Sequence, residues 1–344
     1  MTTQQSADAD RIPATLITGF LGSGKTTLLN HLLRDPAMRD TAVIVNEFGA
    51  VGIDHLLIET AFEDAVLLKS GCICCTTRGD LVDTLGDLWA RRERGAIPRF
   101  ERVAIETTGL ADPAPILQML MAEPAVAERY RLERVVTTVD AANALEQLEQ
   151  QYESAKQAAL ADLLVLTKTD LASPERQRSV RARLRALNPE APMLAALHGK
   201  LDADRLLGAA TTARASAVPP PHPHDHDHDH GDDPCGTEAA HAHLHAIRST
   251  EITADQPIAW EKLARWLEAL ASLRGPDLLR VKGIVQAAGR ERPVVLHAVQ
   301  HVLHEARELP AWPAGRRETR LVLITRGIPD DALRASFQRA VGAA

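Results

Sequence analysis

An eight-residue run near the start of the chain, Gly19-Phe20-Leu21-Gly22-Ser23-Gly24-Lys25-Thr26, satisfies the pattern G-x-x-x-x-G-K-[ST] at every fixed position. Glycines let a backbone curl around a phosphate with its amides pointing inward, and a helix N-terminus adds a partial positive charge at the same point. In such a cradle Lys25 reaches the β- and γ-phosphates and the Thr26 hydroxyl binds Mg2+, with Gly19, Gly22, Ser23, Gly24 and Thr27 completing the wall. The flanks fit. Ala14–Thr18 reads as a short strand, and the leucines of Thr27–Arg34 recur at helical spacing.

Four further motifs follow it. Glu106-Thr107-Thr108-Gly109 closes a clean apolar strand; there an acid can be directed at Mg2+, and Gly109 can present a backbone N–H to the γ-phosphate. Thr167-Lys168-Thr169-Asp170 closes a later one. Asp170 there can accept hydrogen bonds from the ring N–H and 2-amino group of guanine while the Lys168 stem packs on the base, a donor pair that adenine lacks. The usual first residue of this motif is Asn, and here it is Thr167. In Asn46-Glu47-Phe48-Gly49 the acid Glu47 is placed for a metal, a water or a switch, and a solvated loop acid is the bland alternative. In Gly71-Cys72-Ile73-Cys74-Cys75, Cys72, Cys74 and Cys75 supply soft thiolates suited to Zn2+ and its neighbours; a thiol redox switch and buried structural cysteines are the other readings.

From about residue 208 the composition changes. After Pro219-Pro220-Pro221, His222, His224, His226, His228 and His230 occupy every second position, mostly alternating with Asp, and Cys235, His241, His243 and His245 follow. A stretch without apolar periodicity cannot bury a core, so it reads as a linker. Its imidazoles and carboxylates offer weak, exchangeable sites for Zn2+, Co2+ or Ni2+.

These motifs need elements to hold them. Short β-branched runs alternate with amphipathic helical runs from residue 12 to about 205, the pattern of a largely parallel α/β sheet whose ligands sit beyond the carboxyl ends of the strands. The expected strands are Ala14–Thr18, Thr41–Asn46, Ala65–Lys69, Arg102–Glu106, Glu133–Val139, Asp162–Thr167 and Pro192–Leu197. The expected helices are Asp80–Arg94, Pro113–Met121, Asn143–Ala161 and Pro174–Leu187. Past the linker, strands at Leu244–Ser249, Leu278–Ala287, Val294–His297 and Thr319–Thr325, with helices at Pro257–Leu273 and Pro329–Val341, predict a small α+β sandwich. His297, His301 and His304 lie there without a motif to give them a role.

The fold class is thus an α/β P-loop NTPase domain with a mostly parallel sheet at 12–207, after a disordered N-terminus at 1–11. A His-rich linker at 208–242 and a small α+β C-terminal domain at 243–344 complete it. At 344 residues the chain is long enough for two cores, and a net charge of −7 with no basic arm argues against nucleic-acid binding. The polar first eleven residues are no signal peptide, no apolar run approaches membrane-spanning length, and a cytoplasmic location is the expectation.

The order of residues closely resembles the CobW-like GTPases, a group of metallochaperones and metalloprotein activators. The resemblance rests on residues 19–27, Asn46-Glu47-Phe48-Gly49, the C-x-C-C cluster, Glu106-Thr107-Thr108-Gly109-Leu110-Ala111-Asp112-Pro113, Thr167-Lys168-Thr169-Asp170, the histidine run and the C-terminal segment. It implies a GTPase whose nucleotide controls a transition-metal site, with GTP, Mg2+ and Zn2+ or Co2+ as ligands. A client metalloprotein is the implied partner, and a homodimer is a further possibility. A non-catalytic zinc buffer or an ATP-dependent P-loop kinase or ligase are the competing readings, which Asp170 and Glu106 disfavour.

Overall fold

The computed structural model describes residues 10–45, 78–207, 247–303, 306–313 and 317–342. The expected strand Ala65–Lys69, Glu47, the three clustered cysteines, the histidines 222–245 and His304 lie outside those residues.

Six strands form the first sheet: β1 (Ile12–Gly19), β2 (Thr41–Val45), β3 (Arg102–Glu106), β4 (Tyr130–Asp140), β5 (Leu163–Thr167) and β6 (Met193–Ala196). Their order is β2-β3-β1-β4-β5-β6, and every neighbouring pair is parallel. Parallel sheets are covered on both faces, which is why β5, Leu163-Leu164-Val165-Leu166-Thr167, is buried at every position instead of alternating. On one face α1 (Lys25–Leu32) packs Leu28, Leu29 and Leu32 onto Val43, Ala104, Val136 and Val165. The other face carries α2 (Arg78–Glu93), α3 (Ala114–Ala122), α4 (Pro124–Ala127), α5 (Ala144–Gln150), α6 (Tyr152–Leu160) and α7 (Pro174–Leu187), around a core including Leu85, Phe100, Leu117, Leu160 and Leu184. A short α8 (Ala203–Leu207) follows β6. The chain builds one side of β1 with β2 and β3 and the other with β4 to β6. The crevice at the carboxyl end of β1 is therefore the switch point where this architecture receives ligands.

The second sheet is antiparallel, in the order β10-β9-β8-β12-β7, with β11 paired to β9. Its strands are β7 (Ile247–Ala254), β8 (Leu278–Val285), β9 (Val294–Val299), β10 (Val302–Leu303), β11 (Arg307–Glu308) and β12 (Thr319–Arg326). One face is covered by α9 (Trp260–Arg274) and α10 (Asp330–Val341), where Trp266 meets Phe337 edge-on at 5.2 Å between ring centroids. The opposite face contributes Ile247, Leu279, Val299 and Ile324 to the core of the first domain. The two sheets are thus joined through the helices between them.

Several expected boundaries move. The single helix expected at 143–161 is two, α5 and α6, because Gln151 between them is extended at φ −117 and ψ 109. Every residue from Ser154 to Leu160 is buried, so α6 lacks the polar face of a surface helix; Ala155, Ala158 and Ala159 let the neighbouring elements approach closely. The strand expected at Glu133–Val139 begins at Tyr130. The strand expected at Leu244–Ser249 is described from Ile247 and runs on to Ala254, because its full length pairs with β12. The helix expected from Pro257 begins at Trp260. Two-residue strands β10 and β11 are additions that no apolar run announced.

Candidate functional site

β1 delivers Gly19 to the carboxyl edge of the parallel sheet, and α1 begins at Lys25. Gly24 caps that helix at φ 91, a left-handed conformation that an L side chain would strain, and its carbonyl accepts the Leu28 N–H at 2.9 Å. The loop is closed on itself by the Ser23 N–H donating to Phe20 O at 3.1 Å. The Lys25 ammonium lies back along it, donating to Gly19 O at 2.9 Å and Phe20 O at 3.3 Å. Ser23 is braced from β4, with its Oγ 2.7 Å from Thr138 Oγ1.

Beside the loop, the Thr26 hydroxyl donates to Glu106 Oε1 at 2.8 Å. The register of β1 with β3 sets Glu106 opposite Ile17, and so places the carboxylate, only 3% exposed, at the carboxyl end of the sheet next to α1. Thr107 fastens the next step of chain, its N–H to Ile17 O at 3.0 Å and its hydroxyl to Thr18 Oγ1 at 2.8 Å. A hydroxyl and a carboxylate at this spacing are hard oxygen donors, the set that suits Mg2+. Gly109 then comes down on the phosphate loop so closely that a Cβ there would fall 2.7 Å from the backbone N and Cα of Leu21.

The other end of the crevice is built by β4 and β5. Thr167 Oγ1 lies 2.7 Å from Ser23 O and 3.2 Å from Val139 O, so this side chain ties the end of β5 to the phosphate loop and to β4. Lys168 adopts the left-handed conformation at φ 51, and its ammonium donates to Asp140 Oδ2 at 2.8 Å. Asp140 also accepts from the Ala142 N–H and from Asn143 Nδ2, both at 2.9 Å. Burial alone would raise the Asp140 carboxyl, but the hydrogen bonds from Lys168, Asn143 and the Ala142 N–H prevail and hold it below its ordinary value. Asp170 stands exposed in the short turn Thr169–Leu171 that follows Lys168.

The fold therefore brings Lys25, Thr26, Glu106 and Gly109 together around one loop, and sets Thr167, Lys168 and Asp170 two strands away on the same edge. It places His297 and His301 elsewhere, in the second domain. His297 lies on β9, near enough to Asp162 to act on its charge, and His301 is exposed in the turn after β9. Among the described residues no group of three or more His, Cys, Asp or Glu is placed to hold a metal ion. Two residues of the site escaped the reading of the sequence. Asp140 was visible as an acid ending a strand, just as Glu106 does. Gln157, whose Nε2 donates to Gly109 O at 3.1 Å and Ala111 O at 3.0 Å, carried no signal at all.

Known proteins match the chain over both of its domains. Residues 13–195 match the family described as CobW/HypB/UreG, nucleotide-binding domain, and residues 247–341 match the Cobalamin synthesis protein cobW C-terminal domain. The chain is 33% identical over 331 residues to the zinc chaperone YjiA of Escherichia coli K12, covering 95% of this chain and 98% of that protein. It is 30% identical over 378 residues to the zinc chaperone CobW of a Sinorhizobium species, covering 96% and 97% respectively. Among solved structures, the crystal structure of Zn(II)-bound YjiA GTPase from E. coli superposes with a TM-score of 0.71 at 31% identity, covering 96% of this chain and 99% of that one. No helix among the described residues is long and apolar enough to cross a membrane.

Proposed function

The chain belongs to the CobW family of nucleotide-binding proteins, and from that premise we propose that it is a GTP-hydrolysing zinc chaperone that delivers its metal to a client protein. The observation that carries this reading is the seating of Gly109 on the phosphate loop, with Thr26 and Glu106 joined beside it. It supports reading Gly109 as a γ-phosphate sensor, in a chain of which 96% superposes on a Zn(II)-bound GTPase.

In this mechanism backbone amides of the loop 19–24 cradle the phosphates, and Lys25 exchanges its carbonyl partners for β- and γ-phosphate oxygens. Thr26 and Glu106 would hold Mg2+, which supplies positive charge against the phosphate oxygens. Gly109 presents its N–H to the third phosphate, so the loop that carries it feels whether that phosphate is present. Asp170 reads guanine, and the Lys168 stem, held by Asp140, lies along the base. Zinc is the cargo, with Cys72, Cys74, Cys75 and Glu47 as its ligands and His222, His224, His226, His228 and His230 as a loose capture array. Loss of the γ-phosphate releases the loops and weakens the zinc site, so the metal passes to the client. Co2+ suits the same donors and is the second candidate.

Affinity coupling is reciprocal, so GTP must tighten zinc binding by the factor by which zinc tightens GTP binding. Zinc titrations against a competing chromophoric chelator, with a non-hydrolysable GTP analogue or with GDP, are expected to differ by about 5- to 150-fold, the usual range of such coupling. Equal zinc affinities in the two states would overturn the proposal.

A further inference from the structure

α6 is gripped on two sides. Toward the nucleotide, the amide of Gln157, a fully buried residue, donates to Gly109 O and Ala111 O, and the neighbouring Lys156 ammonium reaches Asp112 Oδ2 at 2.6 Å. The Gln157 Oε1 is buried without a hydrogen-bond partner, so the side chain is aimed wholly through its amino end at the loop. Toward the second sheet, Leu160 O at the end of α6 accepts the Arg280 guanidinium, and Asp162 just beyond it accepts from both Arg280 and Lys282 of β8. At the other end of the helix, Arg326 of β12 donates to the Tyr152 hydroxyl at 3.1 Å.

A second connection runs alongside. The loop that follows Glu106 leads directly into α3, whose Gln118 Nε2 donates to the side-chain Oε1 of Gln300 in the tight turn between β9 and β10. Between the phosphate loop and α6, the segment 109–111 has no slack, since its Gly109 already abuts Leu21. Displacement of Gly109 toward a γ-phosphate pulls on the Gln157 bonds, and α6, which carries Gln157, is tied to the antiparallel sheet at both ends.

We infer that Gln157 is the positioning residue that couples the γ-phosphate-sensing loop to the C-terminal sheet, so that nucleotide state and occupancy of the C-terminal domain control each other. The inference rests on the guanine-nucleotide reading above but not on zinc. By reciprocity, a partner that binds the C-terminal domain differently in the two states changes the preference for GTP over GDP by the same factor. Packed elements transmit small shifts because they have discrete arrangements instead of deforming continuously.

Amide hydrogen exchange of residues 278–300 in the full-length chain, saturated either with GDP or with a non-hydrolysable GTP analogue, tests it without added metal. Exchange in that segment is expected to differ between the two nucleotides in the wild type. In Gln157→Leu, of similar size but with no donor, the difference should shrink to what the Gln118–Gln300 connection carries, and the ratio of GTP-analogue to GDP affinity should fall about fivefold or more, the low end of measured couplings. Lys282→Met, which leaves Arg280 on Asp162 and lies outside the nucleotide site, should shrink the exchange difference from the far end; it decides the matter if Gln157→Leu does not fold. Equal exchange in both states of the wild type, or an undiminished difference in the variants, would overturn the inference while leaving the GTPase reading intact. Failure to bind guanine nucleotide at all would overturn both.

Discussion

The Lys168 ammonium stands 2.8 Å from Asp140 Oδ2, a buried carboxylate at the end of the neighbouring strand. Lys168 is left-handed, a conformation costly for a side chain with a Cβ, and the ion pair helps to keep it there. The pair turns a flexible lysine into a fixed wall at the end of the crevice proposed to receive the base, while Asp140 simultaneously organises the entry to α5 through Ala142 and Asn143.

Asp140→Ala is therefore expected to weaken GTP binding by about tenfold, the equivalent of about 1.4 kcal/mol, by releasing Lys168 and unfastening the turn at Ala142. Equilibrium binding of a fluorescent GDP or GTP analogue measures it, and an unchanged affinity would separate Lys168 from base recognition.

Asp170→Asn tests the guanine assignment by donor chemistry. A carboxylate accepts from the 2-amino group of guanine; a carboxamide can instead donate to the oxygen that xanthine carries at that position. Preference should move from GTP toward xanthosine triphosphate, read by competition between the two. ATP competing as well as GTP against the wild type would remove guanine selectivity altogether.

Glu106→Gln retains a hydrogen-bonding oxygen for Thr26 but removes the charge that Mg2+ requires. GTP turnover is expected to fall about 10- to 100-fold, and the Mg2+ concentration needed for half-maximal nucleotide binding should rise. A turnover with the wild-type Mg2+ dependence would take Glu106 out of the magnesium site.

Gly109→Ala places a methyl group where Leu21 backbone atoms stand 2.7 Å away, so the loop must lift from the phosphate cradle. In the role proposed for it Gly109 meets the third phosphate only, so GTP-analogue affinity should fall by about tenfold or more with GDP affinity retained. Equal losses for both nucleotides would point to general damage to the phosphate loop.

The junction between the domains should make stability acid-sensitive. Burial pushes the Asp162 carboxyl up, but Arg280, Lys282 and His297 outweigh it and leave the group well below its ordinary value of 3.8. A carboxyl lowered in the folded state stabilises fully above that ordinary value, and its contribution is lost as pH falls below about 4 toward the folded pKa. Denaturant unfolding across pH 3 to 7 should show this loss in the wild type. Asp162→Asn should lower stability by about 3 kcal/mol at neutral pH, leaving the buried Arg280 and the partly buried Lys282 without their counter-charge, and flatten the acid limb. An acid limb unchanged in the variant would place the sensitivity elsewhere.

Taken by itself, the sequence determined which residues to single out. The phosphate loop, Glu106 and Asp170 stood out because the phosphate cradling and guanine recognition proposed for them act through local backbone geometry and strand ends, which short motifs encode. Apolar runs likewise carried the described strands of the parallel sheet, which burial on both faces marks, and the four principal strands of the second, where β7 alternates instead. What only the tertiary structure decided is who holds those groups. Asp140 and Lys168 are 28 positions apart, and Gln157 lies 48 positions from Gly109. Contacts at such separations depend on strand order, and nothing in a glutamine on an alanine-rich helix announces its partner. The same cause split the helix at Gln151: α6 sits between two sheets, and the packing that buries it on every side overrides the amphipathic period that a helix on an open surface must keep.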